Sequence, residues 1–214
     1  TVKLVAYNGS CTDTTASYYF FAGYFPPDAS NVRRVYGFPN RDHTISGIYT
    51  TLDSGYLMYG RRDGSSFWME TEQGVIIKSK PTGCVEWGRK VAPQFGNGGI
   101  LLAKETGDGN IYMLVNSFIS QYLVKLDANG NTIWAKSLHD GPGVNRTMTT
   151  FETTPDGGII LMSSPQSSTS FNVARLTANG QMAWQKNYDY NTAHPGAFRN
   201  ILLKDGYVYI GGTL

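Results

Sequence analysis

Chemistry near neutral pH needs groups that titrate or coordinate there, and this chain offers few. Its three histidines, His43, His139 and His194, are the side chains whose ordinary pKa lies in that range. Each has polar company: Arg41 and Asp42 before His43, Asp140 and Arg146 after His139, Tyr190 and Arg199 around His194. Such a set suits a polar surface that binds a glycan or an acidic loop of a partner protein. A three-histidine metal site would need all its ligands within about 2.1 Å of one ion. Three widely separated loops do not readily deliver that, so no metal is expected. The sequence has no Gly-x-Ser-x-Gly elbow, no paired-carboxylate constellation and no Cys/His nucleophile pattern. Asp127–Asn131 resembles the start of a calcium loop, but the distal Glu is missing and the second copy has Thr177 in place of the Asp. No catalytic residue and no cofactor are expected, and the sequence leans away from an enzyme.

The elements that must position these residues are repeats. Gly-x-x-x-Trp-x-(Lys/Arg) occurs at Gly83–Arg89, Gly130–Lys136 and Gly180–Lys186, at intervals of about 50 residues. Asn-Gly precedes two of the tryptophans, at Asn129-Gly130 and Asn179-Gly180, and marks a hairpin because both residues tolerate positive φ. A second turn recurs out of phase, at Asp53-Ser54-Gly55, Asp108-Gly109, Asp156-Gly157 and Asp205-Gly206. Each unit therefore reads as four strands, A to D, in two linked hairpins. The A–B turn is Asp-Gly, and the C–D turn delivers a Trp on strand D. Strands repeating at this period predict an all-β protein, a β-propeller of four-stranded antiparallel blades. About four and a half blades fit, within a single domain over 1–214. The blades run approximately over 1–43 (divergent), 44–91, 97–140, 145–190 and 197–214 (partial). Imperfect alternation in strands such as Tyr122–Leu126 fits blades buried on both faces. A two-sheet sandwich is the structural alternative.

In a propeller the three histidines fall in the linkers from strand D to the next strand A. These linkers share one face, so Arg41, His43, His139, Asp140, Arg146, Tyr190 and His194 are expected on one rim of the central channel. The competing reading is that loops are polar anyway. Trp87, Trp134 and Trp184 are expected to be structural, set in the seams between blades. Gly60–Trp68 reads as a longer B–C loop, with Trp68 either at an interface or packed at the start of strand C.

Composition agrees with this class. Charged residues make up 16%, aromatics 13%, and there are 25 glycines, which suits a turn-rich β protein better than a helical one. A net charge of +2 gives no strong pull toward nucleic acid or anionic membrane, and no apolar run approaches the ~20 residues of a membrane helix. Two cysteines, Cys11 and Cys84, are too few for a disulfide scaffold, and a bridge between them is left open. Asn8-Gly9-Ser10 and Asn145-Arg146-Thr147 match the glycosylation sequon, a triplet that chance supplies often.

Lys125–Lys136 followed by Thr154–Leu161 resembles the propeller repeats of secreted and surface proteins from Bacteroidetes-type bacteria. It is also similar to the PQQ-like repeat, in which Leu-x-x-x-x-Gly-x-x-x-Trp docks each blade on its neighbour. The resemblance covers about 44–214. It implies an exported, extracytoplasmic bacterial protein (secreted, cell-surface or periplasmic), serving in adhesion, scaffolding or as an enzyme framework. A PQQ enzyme does not fit, since neither a neighbouring-cysteine pair nor a cofactor-binding carboxylate cluster is found. The expected role is non-enzymatic binding or scaffolding through protein–protein or cell-surface contacts, with a protein partner or larger assembly. A carbohydrate-binding or carbohydrate-active propeller with its site at the channel mouth is the alternative. The chain ends at Leu214 after a strand-B sequence. It is expected to be a piece of a larger propeller, or else to close through residues 1–9, which resemble 123–130.

Overall fold

The computed structural model describes residues 43–62, 73–91, 98–116, 120–138, 147–165, 170–189 and 197–213. Among these there are fourteen strands and no helix. The first sheet is β1 (His43–Thr50), β2 (Tyr56–Arg62), β3 (Gln73–Ser79) and β4 (Val85–Lys90). The second is β5 (Ile100–Glu105), β6 (Ile111–Asn116), β7 (Gln121–Leu126) and β8 (Thr132–Ser137). The third is β9 (Thr147–Thr153), β10 (Ile159–Pro165), β11 (Ser170–Leu176) and β12 (Met182–Asp189), and β13 (Ala197–Lys204) pairs with β14 (Tyr207–Thr213). Each four-stranded sheet is an antiparallel meander with its strands in chain order. The divergent first blade, the strand suggested for residues 1–9 and the loop residue Trp68 lie outside the described residues.

The first strands bring the sheets together: β1 packs beside β5, β5 beside β9, and β9 beside β13. The inner strands thus stand around a common axis while the fourth strands face out, as blades do. All eight residues of β12 are exposed, and β8 is mostly so. The second strands are covered on both faces: Ile111 to Val115 of β6 are all buried. This explains why their sequences run apolar without clean alternation.

The core lies in the seams. Leu57 and Tyr59 of the first blade meet Ala103, Ile111 and Met113 of the second. On the other face of β6, Tyr112 and Leu114 meet Phe151, Ile159 and Leu161 of the third. Ile160 and Met162 then meet Ile201, with Val208 and Ile210 packed alongside. Successive residues on one strand serve opposite seams, and this locks the register of each blade to both neighbours.

The turns differ from the expectation in one respect. At Asn129-Gly130 and Asn179-Gly180 only the glycine is left-handed, with φ of 78° and 72°. Gly130 N–H donates to Asp127 O, Asp127 N–H donates to Asn131 O, and the ladder shifts between Lys125 and Leu126. This is a type I turn closed by a left-handed glycine with a bulge, not a two-residue Asn-Gly turn. At Asp53-Ser54-Gly55 the left-handed residue is Ser54, at φ 64°. Gly55 is required there for another reason: a Cβ on it would lie 2.0 Å from the Ser79 carbonyl oxygen.

Candidate functional site: the mouth at the A–B turns

The rim expected from the histidines is outside what can be described. Arg41, His139, Asp140, Arg146, Tyr190 and His194 lie outside the described residues, and of His43 only the backbone is placed, opposite Arg62 at the start of β1. A concave site among the described residues lies at the end of the blades that carries the A–B turns.

Three of the four A–B turns share one hydroxyl-to-carboxylate bond, and the fourth, at Asp205-Gly206, is a tighter turn with both residues left-handed. Thr51 Oγ1 donates to Asp53 Oδ1, Thr106 to Asp108, and Thr154 to Asp156. The Asp then accepts a backbone N–H: Asp53 from Gly55 and Asp108 from Asn110. These donors favour the charged carboxylate. The Thr51 hydroxyl is the main cause of a lowered pKa at Asp53. At Asp108, burial opposes ionisation, but the bonds from Thr106 and Asn110 outweigh it and lower the pKa. The Thr154 hydroxyl, then Arg175, hold Asp156 down at about 2.

Where the turns meet around the axis they enclose a depression of about 410 Å³, lined by residues from all four A–B hairpins. Tyr49 and Leu52 come from the first, Glu105 from the second, Thr154 and Pro155 from the third, Leu203 and Lys204 from the fourth. Glu105 is only 5% exposed. Its Oε1 accepts from Lys78 Nζ at 3.1 Å and its Oε2 from Leu52 N–H at 2.6 Å. Lys78 also reaches Asp53 at 3.3 Å. Despite its burial, these carboxylates raise its pKa, Glu105 more than Asp53. Beside this group Lys104 pairs with Glu152 at 2.6 Å, joining the A strands of the second and third blades. Burial first, and then Glu152 and Glu105, push the Tyr49 phenol up. The mouth therefore presents paired charges, a protonated phenol and some apolar surface. Among the described residues no group of three or more His, Cys, Asp or Glu side chains comes together to hold a metal ion.

Two of the three repeat tryptophans, Trp87 and Trp134, reach the C–D turn of the next blade. Trp87 Nε1 donates to the Ala128 carbonyl at 2.8 Å, and Arg89 to the Asn129 carbonyl at 2.9 Å, both in the next blade's C–D turn. Trp134 points its Nε1 at the Ala178 carbonyl at 3.4 Å, joined there by Lys125 at 3.0 Å and the Tyr112 hydroxyl at 3.3 Å. Trp184 has no such turn beside it among the described residues and is 37% exposed. Cys84, in the turn between β3 and β4, is disulfide-bonded. Cys11, the chain's other cysteine, lies outside the described residues.

Sequence reasoning missed the mouth because its parts are ordinary individually. Tyr49, Glu105 and Leu203 are single residues at strand ends. The usable signal was the recurrence of Thr-x-Asp, which sets equivalent turns around one axis.

The fold and these seams define an all-β protein of the blade-type propeller class, with its ring open among the described residues. No family model and no curated protein matches the chain. A solved structure is similar in fold, a protein of unknown function from Bacteroides caccae. Its TM-score is 0.50 at 12% identity, over 82% of this chain and 55% of that one. The chain thus spans about half the length of that neighbour.

Proposed function

We propose that this chain is a non-enzymatic binding or scaffold module acting outside the cytoplasm through protein–protein or cell-surface contacts. The observation that carries this reading is the mouth itself. Turns from four successive blades converge on one concave surface, and its buried carboxylate is spent on structure. Both oxygens of Glu105 are engaged, by Lys78 and the Leu52 amide. Held by two donors, that carboxylate fixes the relation between the first two blades at the mouth and so the shape of the surface. The disulfide at Cys84 supports an oxidising compartment. The likeness of the C–D turns to Bacteroidetes-type and PQQ-like propeller repeats supports export.

The test has two arms. Protease shaving of intact producing cells should remove the chain; full protection in the cytosolic fraction would sink the extracytoplasmic reading. A photo-crosslinking amino acid at Leu52, which is 64% exposed at the mouth, should give a discrete adduct on cells. Adducts no stronger than from an exposed site on β12 would count against the mouth as the contact surface.

A further inference from the structure

Tyr49 is the residue of the mouth that the fold does not fully use. Its ring packs partly on the core between the first two blades. Its hydroxyl finds no hydrogen-bond partner among the described residues, while the register-equivalent side chains Lys104 and Glu152 are bonded to each other. A half-buried phenol kept protonated by burial and by Glu152 and Glu105 is both a donor and an acceptor. Half-exposed beside the depression, that hydroxyl is left to solvent, and a ligand hydroxyl can take the solvent's place.

The charge pattern narrows the ligand. Glu105 is matched by Lys78 and Glu152 by Lys104, and at the rim Lys204 and Asp205, consecutive in the chain, bring one charge of each sign. Phosphate or nucleic acid would call for several unpaired cations, and a cationic ligand for a free carboxylate. Next to Tyr49 stands the apolar side chain of Leu52. An aromatic face with adjoining aliphatic surface suits the C–H face of a sugar ring, and the depression of about 410 Å³ lies toward the lower end of ligand-pocket volumes, roughly 300–1,000 Å³.

We infer that this depression binds a neutral saccharide, one ring lying against Tyr49 and Leu52 with its hydroxyls meeting the Tyr49 phenol and the side chains of Lys204 and Asp205. This deepens, and rests on, the reading of the chain as a binding module. No covalent step is involved.

Calorimetric titration of the intact chain with neutral and with sulfated or uronic oligosaccharides tests the inference. Neutral sugars should bind, and Tyr49→Ala should weaken them at least tenfold. Because Tyr49 also touches the core, Tyr49→Phe and Lys204→Ala serve as gentler variants. Each should weaken binding several-fold with an unchanged melting temperature. Binding of charged sugars alone, no saccharide binding, or wild-type affinity in both gentler variants would each overturn the saccharide. A discrete protein adduct at Leu52 without any saccharide binding would sink the saccharide and leave the module reading intact. Loss of both would remove the two together.

Discussion

Tyr112 and Tyr209 occupy the same register position on strand B of their blades, and so do Trp134 and Trp184 on strand D, yet the members of each pair live in different surroundings. Tyr112 is fully buried, edge-on to Trp134 and Phe151 with centroids 5.6 and 6.3 Å away, and donates to the Gly157 carbonyl at 3.0 Å. Tyr209 is 52% exposed. The leading side of the first described blade shows the complementary contrast. Ala103, Phe151 and Ile201 are buried in the successive seams, whereas their counterpart Ile48 is 62% exposed. A blade residue's burial is thus set less by its own strand than by the neighbour that closes its seam. An internal seam and an open flank differ in energy, not in sequence pattern.

The largest expected difference is at the tyrosines. Tyr112→Ala removes a buried aromatic ring together with two ring contacts and its carbonyl bonds, and should cost about 3–5 kcal/mol. Tyr209→Ala should cost under about 0.5 kcal/mol, as exposed substitutions do. Urea midpoints of the two variants measure the gap. Equal losses would show that Tyr209 is covered in solution and that the flank is not open.

The tryptophans come next. Trp134 is half-buried, so Trp134→Ala should fall below the range for fully buried rings, at about 2–3 kcal/mol. Trp184→Ala should cost under about 1 kcal/mol. The glycines of the turns extend the series. A Cβ on Gly180 would sit 2.9 Å from Lys136 Cε and from the Trp134 ring, at φ 72°. Gly206, at φ 79°, has nothing within 4 Å of such a Cβ. Gly180→Ala therefore adds a steric clash to the backbone strain, whereas Gly206→Ala carries only the strain, about 1–2 kcal/mol. Thermal melts should rank Gly180→Ala well below Gly206→Ala, and a reversed order would contradict the docking of Trp134 on the turn.

How much of this was legible follows from the same contrast. The Trp and Asp-Gly periodicity disclosed the blades because each turn chemistry is local: a left-handed glycine and an Asp that caps its own hairpin act within five residues. The Trp134 seam was legible for the same reason, its Ala178 acceptor being two residues before a recurring glycine. The state of Trp184 was not, because nothing in Trp184-Gln185-Lys186 says whether a turn lies opposite. Nor was the mouth: Glu105 is in contact with Lys78, 27 residues earlier in the chain, and the pairing depends on how far one blade rotates from the next. The histidine rim was read from the place of its residues in the linkers after strand D, and apart from the His43 backbone those residues lie outside the described ones.

The smallest effect depends on pH. Asp156 is held at about 2 by the Thr154 hydroxyl and by Arg175, against roughly 3.9 for an unperturbed Asp. The unfolded chain therefore takes up this proton at higher pH than the folded one. Stability contributed by the group is complete above the unfolded value and fades as pH falls through 4 toward 2. Asp53 and Asp108 are lowered too and act in the same direction. Asp156 is well exposed, so solvent screens its ion pair and the effect is modest. Asp156→Asn should lower the urea midpoint at pH 7, and the difference from wild type should shrink steadily as pH falls from about 5 toward 2. Thr154→Ala removes the hydroxyl that bonds Asp156 and keeps the carboxylate, so the loss of stability between pH 7 and pH 3 should be smaller in this variant than in wild type. An acid sensitivity equal to wild type would mean that the Thr-x-Asp bond is not what lowers this turn carboxylate.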